Sequence, residues 1–292
     1  MQRLKNPRLM LILSMAIFGT LAPFVRNISI TSGELALYRA VLAAILIVVV
    51  FAATKQHIDF KAIKKGLPLL LLSGVAMGFN WILLFEAYKY TTVAVATLSY
   101  YFAPVIVTAV CPFLFREKMT VKQILCFVFS TVGLALIIGV SDLGKGSSDL
   151  TGILFGLGSA VLYASVVLIN KFIKGVAGLQ RTFLQFLAAI IVLIPYVALT
   201  SGVTLSSMNS KGWICLLVVG LLHTGLAYIL YFTALKDISG QEASILSYVD
   251  PLLAVIISVT LLGESMTVTQ IIGGVLILGF TLWNEIKPKQ NH

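Results

Sequence analysis

Charge is what this sequence has least of. Asp, Glu, Lys and Arg together make up 11% of its 292 residues, against about 25% in an ordinary soluble domain. With 59% hydrophobic residues and a mean hydropathy of +1.02, that shortage excludes a water-soluble fold, which could not hide so much apolar surface. Cysteine is scarce as well: Cys111, Cys126 and Cys215 are odd in number, sit in apolar runs and have no ligand spacing, which argues against a disulfide framework or a zinc site. HExxH, GxSxG and paired catalytic carboxylates are missing, so no catalytic residue is assigned. The nearest approach to a phosphate loop, GVSDLGKG at 139–146, has Gly146 where Ser or Thr should hold magnesium, and no strand precedes it. ATP hydrolysis is rejected, and neither a cofactor nor a metal is expected.

What is present is apolar sequence in lengths suited to a bilayer, which takes about 20 residues per helix. Ten such runs lie at about 9–27, 35–53, 67–88, 91–115, 120–140, 151–171, 182–200, 212–235, 238–262 and 267–285. The breaks between them, such as SITSGE, FREKMT and SSMNSKG, are too short to hold a soluble domain. The apolar N-terminal run lacks a small-x-small cleavage site and continues past Ala22, so it reads as a retained first span. Basic loops resist translocation. With the N-terminus cytoplasmic, 16 of the 21 Lys and Arg fall inside, leaving Arg26, Arg39, Lys89, Lys145 and Lys211. Both termini are therefore expected in the cytoplasm, and the net charge of +10 is assigned to inner loops, with no nucleic-acid partner.

Self-comparison reveals a duplication. A shift of 147 residues aligns 85–124 with 232–271 without a gap, matching 13 of 40 positions, among them Lys89/Lys236, Tyr101/Tyr248, Pro104/Pro251, Glu117/Glu264 and the MTV and QI pairs. Weaker matches pair Arg26 with Lys171 and Arg39-Ala40 with Gln185-Phe186. Each copy holds five spans, an odd number, so the second must enter the membrane from the opposite side, an arrangement common among transporters. The expectation is an all-α membrane protein of ten transmembrane helices, two inverted five-helix repeats at 1–145 and 146–292.

NWILLFEAYKYTTVAVATLSYYFAPVIV…FREKMTVKQI and YILYFTALKDISGQEASILSYVDPLLAV…LGESMTVTQI resemble the two copies of the EamA domain in the drug/metabolite transporter superfamily. The mid-helix prolines, Glu117 and Glu264 carry the likeness, which covers essentially the whole chain; the first copy departs in having Phe115-Arg116-Glu117 for the usual Leu-Gly-Glu. The resemblance implies a multi-pass secondary carrier of the cell (plasma or inner) membrane, moving amino acids or amphipathic amines and drugs by alternating access. Export is the role it suggests first, with proton coupling as an accompanying expectation. The alternative is an importer of a quaternary ammonium or other organic cation; a receptor or enzyme is more distant. The partners are a small-molecule solute and membrane lipid. The sequence does not fix the oligomeric state, and a monomer is compatible with it.

Asp250 lies inside the ninth run, directly before Pro251. A carboxylate at that depth costs about 2.5–3.5 kcal/mol on insertion scales and usually faces a cavity or a partner. It could cap the half-helix that Pro251 begins, yet the matched Pro104 is preceded by Ala103 and does without one. The functional reading places Asp250 in a central cavity, taking a proton or binding an amine. His223 is either a packing residue or, with Asp250, a proton-coupling group. Asn80, Trp81, Thr97, Tyr101, His223, Tyr228, Ser247, Tyr248 and Asp250 are the candidate substrate-binding residues, with Pro104 and Pro251 as helix kinks. The Thr97, Tyr101, Pro104, Thr108 stripe and its partner Gly240, Ser244, Ser247/Tyr248, Pro251 suit a cavity wall, although small polar residues also serve helix packing. Tyr100, Tyr163 and Glu86 are further candidates, Glu86 close enough to a span end to meet headgroups. Arg39, a turn inside the second span, is expected to snorkel, and Glu117 and Glu264 to belong to helix-end and loop structure.

Overall fold

The computed structural model describes residues 6–55, 63–64, 66–115, 119–138, 148–173, 175–176, 178–238 and 240–286. Among them there is no strand. Nine helices are long and apolar enough to cross a membrane: Pro7–Val25, Ser32–Thr54, Leu67–Tyr90, Val93–Phe115, Val121–Ile138, Asp149–Asn170, Gly178–Thr200, Ser210–Ala234 and Val268–Glu285. The expected ninth span is Gly240–Leu246 followed by Val249–Thr260. These ten segments, spans 1 to 10 in chain order, match the ten apolar runs. Glu117 and the 139–146 loop lie outside the described residues, as do the side chains of Gly240 and Ser244.

The prolines explain where two spans break. Proline lacks an N–H and clashes with the carbonyl four residues earlier, which for Pro104 is that of Tyr100 and for Pro251 that of Ser247. Span 4 accordingly stops at Tyr100 and resumes at Ala103, and span 9 stops at Leu246 and resumes at Val249. Tyr101 sits in the first break and its repeat match Tyr248 in the second. Span 8 departs from α-geometry differently, through a π-helical stretch at Val218–Leu226 that carries His223 and Thr224.

Packing between the halves follows one rule. Span 3 packs on spans 6 and 7, and span 8, its counterpart, packs on spans 1 and 2; span 4 meets span 6 as span 9 meets span 1. Spans 2 and 7, 4 and 9, and 5 and 10 each pack on their own counterpart. Exchanging the two sets of five therefore leaves the pattern unchanged, as a two-fold axis requires. Large apolar side chains such as Ile45, Phe113, Ile191 and Val275 face outward, where lipid would solvate them.

Spans 5 and 10 touch through glycine. A Cβ on Gly133 would lie 2.6 Å from the carbonyl oxygen of Gly273, so the contact exists only because both residues are small. Gly133→Val is expected to destabilise the bundle by about 1–3 kcal/mol, the usual cost of overpacking. Gly279, with nothing within 4 Å of its Cβ position, should accept alanine without effect. Thermal unfolding in detergent compares the two.

The ends of the bundle are distinct. At the end holding Pro7 and Glu285, Arg8 pairs with Glu242 and Lys122 Nζ donates to the Ile286 carbonyl. At the opposite end Arg26 pairs with Glu264, Thr91 donates to Asp149 at 2.7 Å, and the Thr204 amide donates to Glu34 at 2.6 Å.

Candidate substrate cavity

A cavity of about 660 Å³ occupies the interior between the two sets of five spans, a size typical of small-molecule sites. Its walls come from both copies. Asn80, Trp81, Thr97, Tyr101, Pro104, Tyr228, Ser247, Tyr248 and Asp250 all line it, and His223 and Pro251 do not. The lining runs from Arg39 and Tyr88 to Asn170, Gly178, Arg181, Leu235 and Glu285. The latter group are span ends on the side of the chain termini, so the cavity reaches that end of the bundle.

Asp250 Oδ2 accepts a hydrogen bond from the Tyr101 hydroxyl at 2.6 Å. This joins the break of span 4 to the first turn of the second half of span 9. Of the two roles open to Asp250, its carboxylate takes the one that faces the cavity: the hydrogen bond it accepts comes from Tyr101 on span 4 and not from a backbone amide of its own Val249–Thr260 helix. Close approach of span 1 holds the region together: a Cβ on Gly19 would lie 2.7 Å from the Asp250 carbonyl oxygen. A larger residue there would push span 1 off the carboxylate's backbone.

The remaining candidates divide by what they already hold. Asn80 Nδ2 donates to the Ser159 carbonyl at 2.7 Å and to its hydroxyl at 2.8 Å, tying span 3 to span 6. Ser247 Oγ returns to the Ala243 carbonyl at 2.8 Å. Thr97 Oγ1 is buried, with no hydrogen-bond partner within normal geometry among the described residues. Tyr228 stands edge-on to Phe18 and Phe186 at 5.1 and 5.3 Å, and Tyr100 contacts Tyr101 and Tyr163 at 5.6 and 5.4 Å. The cavity wall therefore carries a cluster of aromatic rings, a surface suited to apolar groups and to cations. His223 is fully buried outside it, with Nε2 3.0 Å from Thr20 Oγ1 and Nδ1 3.2 Å from the Val218 carbonyl. Both ring nitrogens are occupied by the first and eighth spans.

Arg39 overturns its sequence expectation. Rather than snorkelling to an interface it is 3% exposed and lines the cavity. Its Nε donates to Thr224 Oγ1 at 2.9 Å, and its guanidinium carbon lies 4.5 Å above the Trp81 ring centroid. The π-helical stretch makes this possible, because it turns Thr224, whose hydroxyl bonds the carbonyl of Val219 five residues back, toward span 2. Tyr88, Tyr163, Tyr231 and Gln185 also line the cavity; of these only Tyr163 was a sequence candidate. A signal existed for Arg39: its repeat match is Gln185, the same one-copy asymmetry that singled out Asp250. Glu86 pairs with Lys89 at 2.9 Å and takes no part in the cavity. Glu264 does more than end a helix. It pairs with Arg26, accepts from the Val93 amide at 2.8 Å and accepts from Ser258 Oγ.

Comparison with known proteins gives this geometry a family. The profile described as "EamA-like transporter family" matches twice, over residues 7–139 and 150–284. The chain is 31% identical over 272 residues to the protein named "Uncharacterized transporter YxxF" of Bacillus subtilis (strain 168), covering 91% of this chain and 85% of that one. An "Uncharacterized transporter" of Archaeoglobus fulgidus is 28% identical over 282 residues, covering 94% and 95%. A solved structure titled only "Crystal structure of protein" superposes with a TM-score of 0.66 at 17% identity, covering 94% of this chain and 95% of that one, and so shares the fold. The protein is accordingly a multi-pass transporter of the cell membrane rather than an enzyme, and the chain belongs to the EamA-like transporter family.

Proposed function

We propose that the protein is a secondary carrier that exports small organic solutes bearing an amine, amino acids or amphipathic amines among them, by alternating access and in exchange for protons. The observation that carries this reading is the placement of Asp250: a carboxylate in an aromatic-walled cavity between two equivalent sets of five spans, held by Tyr101. In this scheme the halves are a duplicated pair, 1–145 and 146–292, and the axis between them lets each conformation become its mirror across the bilayer.

The bias of 16 Lys and Arg against 5 supports a cytoplasmic position for the terminal end of the bundle. The cavity reaches that end, so on this reading the conformation faces the cytoplasm, the state in which an exporter takes up its solute. An ammonium and a proton compete for the same carboxylate. Solute leaves to the outside when a proton takes its place, and Asp250 must release that proton inward before the next cycle. Of its two roles His223 takes packing, since its nitrogens are already bonded away from the cavity.

Counterflow in proteoliposomes tests the reading. With a panel of amino acids, aliphatic and aromatic amines and quaternary ammonium compounds, at least one labelled amine-bearing solute should exchange across the membrane. A pH gradient, acid on the side away from the termini, should drive its net movement toward that side. A protein that exchanges none of these solutes is not such a carrier. Gradient-insensitive exchange would remove the proton and keep the carrier.

A further inference from the structure

Besides Asp250, and apart from Arg181 and Glu285 at the terminal end, the cavity holds a charge that the proposed function does not use. Arg39 lines it at 3% exposure, and carrying a cation into a membrane bundle is costly unless something compensates it. Among the described residues the ion pairs are Arg8–Glu242, Arg26–Glu264 and Lys89–Glu86; Arg39 has no carboxylate within ion-pair distance. Its Nε is occupied by Thr224 and its face rests on Trp81. No hydrogen bond engages the two terminal nitrogens among the described residues, and they are not sealed off with the buried unpaired groups. A guanidinium fixed by one edge and one face presents its other edge as a fork that fits a carboxylate bidentately.

The repeat weighs against a purely structural role. At the matching place in the second copy stands Gln185, neutral and bonded to Asn170 Oδ1 at 2.9 Å and to Ser73. A helix-packing requirement would recur in both copies, as the prolines do. Away from the terminal end, where Arg181 and Glu285 line the cavity, each copy contributes one charge that the other lacks, Arg39 from the first and Asp250 from the second, and both face the same space. They do not neutralise each other, being farther apart than an ion pair. Tyr88, Tyr100 and Tyr228 line the same space, so the two poles share one chamber.

We infer that Arg39 is an anion-binding residue of the substrate site, and that the cavity takes a zwitterion whose carboxylate sits on Arg39 while its ammonium sits on Asp250. This rests on the carrier reading and narrows it: a simple amine satisfies only one pole and leaves the guanidinium uncompensated. Solutes lacking the carboxylate should therefore bind less well than the parent zwitterion.

Counterflow with matched sets of probes decides the matter: each of several amino acids, its methyl ester, and the amine left by removing the carboxyl group. For at least one set the wild-type protein should select the amino acid over its ester and amine at least tenfold, equivalent to about 1.4 kcal/mol. Arg39→Gln, which installs the side chain found at the matched place, should bring that ratio to about one while amine exchange persists, and Arg39→Lys should restore part of it. Thermal unfolding of both variants shows whether they fold. Equal or better exchange of amines in the wild type, an unchanged ratio in Arg39→Gln, or loss of amino acid and amine exchange in equal proportion would each overturn the assignment and leave the carrier standing. Absence of exchange with every probe would instead remove the carrier reading itself.

Discussion

Replacing Asp250 by asparagine is expected to reduce exchange of an amine-bearing solute about a hundredfold and to abolish its response to a pH gradient. A hundredfold corresponds to about 2.7 kcal/mol, inside the 2–5 kcal/mol lost when one member of a desolvated charge pair is removed. Asparagine keeps the shape and can still accept the Tyr101 hydroxyl, whose 2.6 Å bond joins the two broken spans, so the fold should survive. What it cannot do is carry a charge or exchange a proton. Tyr101→Phe separates these roles. It removes one hydrogen bond to the carboxylate, worth about 1.5–3 kcal/mol, and should slow exchange about tenfold while the gradient response remains. His223→Gln is the contrast. Its effect should fall on thermal stability, through the lost contacts with Thr20 and Val218, and the gradient response should persist. A gradient response that vanished in His223→Gln and survived in Asp250→Asn would transfer the proton to the histidine.

The second large effect is expected at the closed end of the cavity. Arg26 pairs with Glu264 and also donates to the carbonyls of Tyr88 at 3.3 Å and Thr91 at 3.1 Å. Through Glu264 the linkage continues to the Val93 amide at 2.8 Å and to Ser258. The ends of spans 1, 3, 4 and 9 are thereby fastened together on the side away from the termini. Glu264 is nearly buried and Arg26 about a third exposed, so the pair is worth about 1–2 kcal/mol, between the exposed and buried cases. Glu264→Gln should shift the population toward the state open at that end by about tenfold. Labelling by a membrane-impermeant thiol reagent reads this out. The probe is Ala22→Cys, at a cavity-lining position, in a protein whose Cys111, Cys126 and Cys215 are replaced. In the parent, labelling should come mainly from the terminal side; with Glu264→Gln, labelling from the far side should rise about tenfold. Equal labelling in parent and variant would show that the pair does not control closure.

How much of this was legible in the sequence depends on how far apart the interacting residues are. The spans were readable because hydrophobic length is a local property, and their observed bounds fall within a few residues of the apolar runs, except at Gly178, where span 7 starts before the expected 182. The kinks were readable because proline acts on its own helix. Eight of the nine candidate binding residues line the cavity; all of these but Asp250, chosen for its charge, came from repeat-matched or neighbouring spans, and matched spans meet at the interface between the halves. The exception, His223, was chosen for its chemistry, and nothing local revealed that Thr20, 203 residues away, occupies its Nε2. Arg39 was misplaced for the converse reason. Its nearness to a span end suggested a route to the interface, while Trp81 and Thr224, which hold it inside, come from spans 3 and 8.

The sequence by itself determined that the chain is a membrane bundle, that it is duplicated, where its helices run and break, and that Asp250 is out of place in an apolar run. These follow from composition, periodicity and self-similarity, each readable along a single strand of text. Only the tertiary structure decided which polar groups are used up in holding helices together and which are left facing open space. That distinction turns on contacts between residues far apart in the chain, such as Arg39 with Thr224 and Arg26 with Glu264, because in an apolar interior a polar side chain is defined by the partner it finds.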